Sequence, residues 1–581
     1  MDRRFFLGAL GTPLFAACDF KNGAPDIKGV KGEFQAEVYG PAMALGHRLR
    51  TQDFPAPTET RKLDIAIIGG GVAGLSAAWH LVKRGVKQFT LFELEDALGG
   101  NARAGKSAVT PYPWGAHYLP LPPQEAVHVR QLLADLGVLK SGIDSAAPLY
   151  DEAALVHAPQ DRLYRNGLWQ EGLLPKNMLA PGEHDQFKRF EALVESYKQS
   201  RDLFGAKPFA LPSLLSSGDL RSTALDSTDM RRWLVGQGFD SPALHWYVDY
   251  GCRDDFGSLS RDTSAWAGMH YFASRSGQAQ HADPHSVLTW PEGNGFLTRR
   301  TEEWLIGQFA GPDTTLAAQR LPIQDTTLAA QRLPIQDTTL AAQRLPMRDS
   351  EPFARNALCT KLVTAKGFTE FDIYLPAENR SVRYQAKRVL WAAPSFVLAR
   401  VWDNPPAAFR PAVAAIEMVP WLVANLHLRE PPRDTGPAPL AWDNVIYNSN
   451  ALGYVVATHQ TVRRQPGATV LTYYWPHSGD APAVARKRLL ETPWAEWIKA
   501  ILADLRRPHP DLAKSIERVE LWRWGHGMPQ PSPGFLTAPA RAALAGLQGS
   551  LVFAHADLSG MSLFEEANYA GVRAAAIATR G

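Results

Sequence analysis

The segment from Leu63 to Arg103 constrains the fold of this chain more than any other part of the sequence. It opens with Leu63–Ile68, a short apolar and partly β-branched run that suits a strand buried on both faces. Gly69, Gly71 and Gly74 follow in the spacing G-x-G-x-x-G, and a helix is predicted from about Val72 to Arg84. In such a motif the glycines allow a tight turn, close backbone approach to a pyrophosphate, and close packing of helix on strand.

The residues after this helix complete the pattern. A second strand is predicted over Gln88–Phe92, and Glu93 closes it, 19 residues after Gly74. An acid at this position takes a ribose hydroxyl in dinucleotide-binding units, while the helix N-terminus faces the phosphates. A lone glycine motif is often only a turn. Strand, helix, second strand and acid in order therefore predict dinucleotide binding.

The next glycine pair indicates which dinucleotide the chain is expected to bind. Glu93 to Arg103, with Gly99 and Gly100 between them, resembles the E-x(5–6)-G-G-x-x-R pattern of the flavin-containing amine oxidase and protoporphyrinogen oxidase superfamily. The resemblance implies FAD, with Arg103 near the pyrophosphate or the flavin; a solvated surface arginine is the alternative. Relatives with covalent FAD carry a cysteine near the segment Trp522–Pro531, and none stands here. FAD is therefore expected to bind noncovalently.

Two later segments resemble the parts of that family that return to the cofactor. Tyr384–Ala393 resembles its returning strand, and Leu551 to Asp557 resembles its closing strand, which ends in an acid. The resemblance implies that Asp557 binds the ribityl or pyrophosphate part of FAD. A helix from Glu565 to Thr579 would then face the flavin, with Glu565 in the binding segment. The predicted fold class is α/β, with a discontinuous Rossmann-type FAD domain and an amine oxidase-like substrate domain of mixed sheet and helices.

These matches give a division of the chain. The predicted parts are an export signal (1–18), a tether (19–62), a first FAD-binding part (63–124), a helical substrate-binding region (125–285), a return to the FAD domain (286–312), a twelve-residue tandem repeat (313–349), FAD-domain strands (350–400), a substrate-domain sheet (401–545) and a last FAD-binding part (546–581). The repeat, TTLAAQRLPIQD in near-identical copies, is interpreted as a recent duplication within one connection.

Candidate catalytic residues follow from the same resemblance. Gly115–Tyr118 resembles an element beside the flavin, which makes His117 a candidate for flavin contact or proton handling; a structural histidine is the alternative. Many family amine oxidases hold a lysine six residues after the proline of the returning strand, and here that count gives Arg400. Arginine stays protonated and is bulkier, so it replaces that lysine poorly. Leu563 stands where amine-binding relatives have a tyrosine.

One further segment mixes acids and aromatic residues. Tyr250 to Gly257 is predicted as a loop, either a salt-linked structural turn or a wall of the substrate pocket.

The N-terminus is interpreted as a targeting segment. Arg3 and Arg4, followed by apolar residues, have the features of a twin-arginine signal, and Leu14–Cys18 resembles a bacterial lipobox. Lipidation of Cys18 is expected, with plain cleavage after Ala17 as the alternative. The protein is therefore predicted to be periplasmic and anchored to the membrane, with its FAD acquired before export.

Composition excludes some classes of function. The 581 residues carry a formal charge of only +3 and no long basic run, so nucleic acid is an unexpected partner. After Cys18 only Cys252 and Cys359 remain, and no zinc spacing, EF-hand loop or G-x-S-x-G motif occurs. No metal is therefore expected.

Three functions stay open at this point. The first is an FAD-dependent oxidoreductase that oxidises an amine or a related C–N or C–C bond of a small molecule, with oxygen or a quinone as acceptor. The second is a flavoprotein desaturase or isomerase of a lipid-like substrate. The third is a non-enzymatic FAD-containing lipoprotein.

Overall fold

The computed structural model of the protein describes residues 34–580 apart from 176–178, 284, 310–351, 434–435, 464 and 466. The predicted export signal with Cys18 and the tandem repeat lie outside the described residues. Within the described chain, no helix is long and apolar enough to span a bilayer.

The described strands are numbered in chain order. They are β1 Gln35–Tyr39, β2 Pro57–Ile68, β3 Phe89–Phe92, β4 Ala104–Lys106, β5 Pro111–Pro113, β6 Tyr118–Pro120, β7 Leu139–Ser141, β8 Leu149–Tyr150, β9 Asp161–Arg165, β10 Leu168–Glu171, β11 Val287–Thr289, β12 Phe353–Ala354, β13 Leu358–Ala365, β14 Phe368–Leu375, β15 Arg380–Trp391, β16 Met418–Leu428, β17 Asp443–Ile446, β18 Gly453–Val456, β19 Thr469–Pro476, β20 Ile516–Pro529 and β21 Leu551–Phe553.

The described helices are numbered in the same way. They are α1 Met43–His47, α2 Val72–Lys83, α3 Val127–Asp135, α4 Pro181–Gln199, α5 Leu220–Thr223, α6 Met230–Gly236, α7 Pro242–Phe256, α8 Ala265–Ala273, α9 Gly295–Phe309, α10 Ser395–Val401, α11 Phe409–Ala414, α12 Pro482–Glu491, α13 Trp494–Leu505, α14 Pro539–Ala545 and α15 Phe564–Ala578.

A seven-stranded sheet forms the dinucleotide-binding half of the protein. Its order is β12-β3-β2-β15-β14-β13, and β21 adds to β15. The pairs around β2 are parallel, whereas β13, β14 and β15 form an antiparallel meander. Because β2, β15 and β21 are far apart in the sequence, this half is assembled from separate parts of the chain. The predicted α/β fold class with a discontinuous Rossmann-type domain is therefore confirmed.

Helices α2 and α15 cover one face of this sheet and pack closely on each other. The contact depends on Gly571, because a Cβ there would lie 2.1 Å from the carbonyl oxygen of Ala73. Any larger residue would push the last helix away from the first. The apolar faces of both helices pack on Ile65, Ile67 and the other buried residues of this side of the sheet. This packing places the N-terminus of α15 beside the second half of the molecule.

The second half is organised around an eight-stranded sheet in the order β1-β20-β16-β19-β18-β17-β9-β10. Every residue of its strand β16 is buried. The predicted tether from 19 to 62 needs correction, because β1 pairs in parallel with β20 and β2 already begins at Pro57. The short pattern Gln35–Tyr39 gave no sign of this strand, since its partner lies near the other end of the chain.

The region predicted to be helical, 125–285, is helical over α3 to α8 but also supplies β7 to β10. Strands β9 and β10 form the edge of the eight-stranded sheet. The prediction of a loop from Tyr250 to Gly257 is wrong. These residues form the last turns of α7, and Gly257 ends the helix with φ +65°. Charged and aromatic residues alternate there because one side of α7 is buried against the sheet and another faces a cavity.

Candidate active site

The glycine turn between β2 and α2 has the geometry that the motif predicts. Gly69 has φ +109°, and a Cβ there would lie 2.8 Å from the backbone of Ala392. A Cβ on Gly74 would lie 1.9 Å from the carbonyl oxygen of Gly69, so only glycine lets α2 approach the strand. A Cβ on Gly71 would meet its nearest neighbour, the Cα of Gly100, only at 3.7 Å. The backbone at Gly71 is thus approachable, as a pyrophosphate site requires.

Glu93 lies buried at the end of β3. Its Oε2 accepts a hydrogen bond from the N–H of Gly70 at 2.6 Å, and its Oε1 accepts one from the N–H of Glu95 at 2.9 Å. Burial raises the pKa of this carboxyl above its ordinary value, although both backbone hydrogen bonds act against the rise. Glu93 therefore holds the glycine turn in place, and its contact with a ribose stays a prediction.

The second glycine pair faces the first. Gly99 has φ +125°, and its N–H donates to the carbonyl oxygen of Gly70 at 2.9 Å. The side chain of Arg103 is only 11 % exposed and pairs with Glu95 at 3.1 Å and with Asp96 at 2.9 Å. Its guanidinium also lies over the ring of Trp522, 5.6 Å from the centroid. Arg103 is therefore not a solvated surface arginine.

Asp557 lies in the turn after β21. Its Oδ2 accepts hydrogen bonds from the N–H of Ser395 at 2.8 Å and from the Ser395 hydroxyl at 2.7 Å. Its Oδ1 lies 3.2 Å from the Nδ1 of His555. Burial alone would raise the pKa of Asp557, but the His555 and Ser395 contacts outweigh burial and leave the pKa below its ordinary value. The carboxylate thus ties the start of α10 to the sheet. The predicted contact with FAD stays a prediction.

A cavity of about 140 Å³ lies where the two halves of the protein meet. Aromatic and apolar side chains form most of its wall, including Trp421, Val423, Tyr474, Trp524 and Met528. A smaller set of polar groups converges on it, namely His117, Tyr118, Asp254, Asp255, Arg275 and Glu565. A largely apolar cavity with a few converging polar groups is typical of a small-molecule site.

His117 forms part of the cavity wall. Its ring stacks on Tyr474 with a centroid distance of 4.4 Å and an interplanar angle of 27°, and the Tyr474 hydroxyl donates to the carbonyl oxygen of Gly115 at 2.9 Å. Burial lowers the pKa of His117 to about 3, so the ring is neutral at ordinary pH and a weak base. The structure favours a positioning role for His117 over proton handling.

The carboxylates of the cavity form one connected cluster. Asp254 accepts hydrogen bonds through Oδ2 from the hydroxyl of Tyr118 at 2.6 Å and from that of Tyr271 at 3.4 Å. Arg275 pairs with Asp255 and donates to the hydroxyl of Tyr118 at 3.1 Å. We call these five side chains the acid cluster. Sequence reasoning named this segment as a possible pocket wall but missed Arg275, which follows α8 and carries no motif.

Burial perturbs the carboxyl groups of this cavity. It raises the pKa of Asp254, against the opposing effects of Arg275 and of the Tyr118 hydrogen bond. It also raises the pKa of Asp255 to about 7 and that of Glu565 to about 8. Acids with such pKa values change charge near neutral pH, which is frequent at functional sites.

The remaining candidates separate into one group at the cavity and one residue away from it. Glu565 and Leu563 line the cavity at the N-terminus of α15. Arg400 does not: it is exposed on α10 and is absent from the cavity wall among the described residues. The predicted catalytic role of Arg400 is therefore not supported, because a count of six residues from Pro394 reaches the outer face of a short helix.

The residues present fit a dinucleotide such as FAD. The N-termini of α2 and α15 both lack a side-chain cap among the described residues, so their N–H groups are available to phosphate and carbonyl oxygens. Helix α2 begins after the approachable backbone of Gly71, and the N-terminus of α15 lines the cavity. Cys252 and Cys359 are free buried thiols, and neither lines the described cavity wall. No cluster of three or more metal-ligating side chains occurs in the described chain.

Comparisons with known proteins agree with this geometry. Residues 67–136 match the model of the NAD(P)-binding Rossmann-like domain family. A tryptophan 2-monooxygenase from Pantoea agglomerans pv. gypsophilae is 37% identical over 84 residues, 14% of this chain and 12% of the relative. One from Agrobacterium tumefaciens (strain Ach5) is 23% identical over 182 residues, 28% of this chain and 20% of the relative. The chain thus matches no more than a fifth of the length of either relative.

The similarity to solved structures covers most of the chain. A redesigned putrescine oxidase has a TM-score of 0.61 at 15% identity, with 89% of this chain and 98% of that chain covered. Cyclohexylamine oxidase from Brevibacterium oxydans IH-35A has a TM-score of 0.57 at 16% identity, with 89% of this chain and 98% of that chain covered. A fatty acid isomerase from P. acnes has a TM-score of 0.56 at 14% identity, with 88% of this chain and 97% of that chain covered. The fold is therefore amine oxidase-like, and it contains a Rossmann-like domain.

Proposed function

We propose that this protein is an FAD-dependent oxidoreductase that oxidises an amine. The observation that carries the proposal is the set of three carboxyl groups on the cavity wall, because a bound cation would favour their ionised form. Asp254, Asp255 and Glu565 converge on the cavity, and Arg275 is the cation beside them. Acids in excess over cations in a largely apolar cavity suit a substrate that carries a positive charge. The amine oxidase-like fold supports the same choice.

When bound, FAD supplies the acceptor for a hydride from the substrate carbon. The residues of this chain hold the cofactor and orient the substrate. The glycine turn at Gly69–Gly74 and the N-terminus of α2 would hold the pyrophosphate, while Glu93 fixes that turn. The N-terminus of α15 with Glu565 borders the cavity and would face the cofactor.

The acid cluster binds the substrate ammonium and removes its proton. Asp254 is the base that we assign, because Tyr118 holds it at 2.6 Å on the cavity wall and Arg275 is already engaged by Asp255. The proton passes from the ammonium nitrogen to the Asp254 carboxylate, which leaves a neutral amine with a free lone pair. His117 and Tyr474 form a flat neutral wall that excludes water and aligns the substrate.

Anaerobic reduction of the bound flavin tests the proposal. Primary amines, diamines, amino acids and unsaturated fatty acids are mixed separately with the holoenzyme, and loss of the oxidised flavin absorbance is followed. Amines should bleach the flavin and fatty acids should not. No bleaching by any amine, with normal reduction by dithionite, would contradict amine oxidation.

A flavin-dependent desaturase or isomerase is the second candidate. Leu563 at the N-terminus of α15 and the apolar wall of Trp421, Val423 and Met528 favour a lipid-like substrate. The fold shared with a fatty acid isomerase points in the same direction. Conversion of unsaturated fatty acids by the holoenzyme, without reduction by amines, would favour this candidate. A flavoprotein that converts neither class would leave the non-enzymatic function.

We further propose that the protein is exported through its twin-arginine signal and anchored through lipidated Cys18, with oxygen or a quinone as electron acceptor. The sequence of residues 1–18 supports export. Mass spectrometry of the mature N-terminus tests it: a diacylglyceryl cysteine at position 18 is expected, and an unprocessed Met1 would contradict export.

A further inference from the structure

A second cavity lies on the other side of helix α7 from the candidate active site. It has a volume of about 580 Å³ and lies between the end of α7, the end of β19 and helices α12 and α13. Arg253, Trp475, His477, Arg488 and Trp497 are among its walls. None of these residues lines the substrate cavity among the described residues. The two cavities are therefore separate sites, joined through one helix.

Arg253 is the unusual residue of this second cavity. It is 5 % exposed, and its Nη1 donates to the carbonyl oxygens of Ser449 at 3.1 Å and of Ala451 at 3.5 Å. Its Nε is buried with no hydrogen-bond partner, and no carboxylate of the described chain forms an ion pair with its guanidinium. A buried charge without a counter-charge is costly, so proteins normally provide one.

The acids at this cavity are already paired. Asp480 pairs with Arg488, and Glu496 is exposed and lies 3.8 Å from Lys499. Neither carboxylate therefore pairs with Arg253. Asp249, one turn earlier on α7, attracts the Arg253 charge but forms no ion pair with it.

Other buried polar atoms of the cavity are unsatisfied as well. The indole Nε1 of Trp497 and the Nε2 of His477 are buried without partners. Burial lowers the pKa of His477 to about 3, so its ring is neutral and the fixed charge comes from Arg253. The rings of Trp475 and His477 stack with centroids 5.3 Å apart and form a flat wall. Unpaired donors beside flat rings match a ligand that offers acceptors on a compact or planar body.

We propose that this cavity is a binding site for a small anion, a carboxylate or a phosphate, with Arg253 as its charge partner. A planar guanidinium suits either group, because it can donate two parallel hydrogen bonds to carboxylate or phosphate oxygens. Arg253 directly precedes Asp254 and Asp255 on α7. An anion held by Arg253 therefore fixes the last turn of the helix that carries the acid cluster.

Titration calorimetry and thermal unfolding test the site on the full-length holoenzyme. Benzoate and inorganic phosphate are the two probes, compared at equal ionic strength, and they distinguish an organic carboxylate from a phosphate ligand. At saturation either probe should raise Tm by about 2 °C or more. Arg253→Met should weaken binding by at least about tenfold. The exposed, Asp229-paired Arg232 supplies the matched control, and Arg232→Met should leave binding unchanged.

The variants also distinguish an anion-binding role of Arg253 from a purely structural role. Without anion, Arg253→Met should unfold at nearly the same temperature as the wild type, since removal of a buried charge offsets the loss of the hydrogen bonds to Ser449 and Ala451. Arg253→Lys keeps the charge but loses the planar fork, and should bind the probe with intermediate affinity. Absence of binding by both probes, or equal binding by wild type and Arg253→Met, would overturn the proposal. Either result leaves amine oxidation untouched, because flavin reduction is measured separately.

Discussion

The role of Asp254 gives the sharpest prediction for activity. Asp254→Asn keeps the shape of the side chain and removes its charge and its ability to accept a proton. The carboxylate accepts from Tyr118 at 2.6 Å and from Tyr271 at 3.4 Å, and it faces the cavity together with Asp255. A positioned base contributes about 10²–10⁴-fold to the rate. Taking the lower part of that range, kcat/KM for an amine should fall by roughly two to three orders of magnitude.

The assay is steady-state oxidation of the best amine from the anaerobic panel, with flavin content measured for each variant. Asp249→Asn is the matched control. Asp249 lies on the same helix, and its Oδ1 accepts from the N–H of Ser260 at 2.8 Å, which an asparagine oxygen can still do. It is absent from the described cavity wall, so kcat/KM should stay within about threefold. A flavin-loaded Asp254→Asn enzyme with wild-type kcat/KM would refute the role of the acid cluster.

Four further predictions concern the cofactor site and the cavity. Gly74→Ala should abolish flavin retention, because its Cβ would lie 1.9 Å from a carbonyl oxygen. Gly307→Ala, which has open space around it, should keep both flavin and stability. Flavin absorbance per chain measures the retention of both variants. Glu93→Ala should weaken FAD affinity at least about tenfold, since it releases two hydrogen bonds of about 1.5–3 kcal/mol each to a charged group, and unchanged affinity would show that the turn holds without it. Burial raises the pKa of Glu565 to about 8, so this carboxyl ionises as the pH rises. The kcat/KM for a cationic amine should therefore rise from pH 6 to 9. The free energy of unfolding should fall from about pH 4.5 to 8, because the folded state holds the extra proton in that range. Arg400→Ala should leave kcat unchanged, because this side chain is exposed, and a large loss would restore the role first expected for it.

The dinucleotide half of the fold could be predicted because its constraints are local. Gly69 and Gly74 stand where a side chain would collide with neighbouring backbone, so the residue type itself reports the turn. Strand β21 and helix α15 were found through a second local motif, and α15 begins at Phe564, one residue from the predicted start. Such signals survive in sequence because each depends on a few consecutive residues.

The substrate half resisted prediction because its contacts are long-range. Strand β1 exists only through its pairing with β20, which no pattern in Gln35–Tyr39 reveals. The end of α7 was taken for a loop, since its acids face a cavity that the sequence does not show. Arg275 entered the cluster only through the packing of α7 beside α8. Arg400 was misplaced because a count of six residues from Pro394 runs along α10 to its exposed face.

The measurement that tests the central claim most directly is the flavin content of the purified protein. Denaturation of the full-length chain should release FAD in a ratio of about one per chain, as expected for a single dinucleotide-binding unit with no covalent link. The released cofactor is identified by chromatography against FAD, FMN and NAD. A colourless protein that takes up no FAD on incubation would contradict the account.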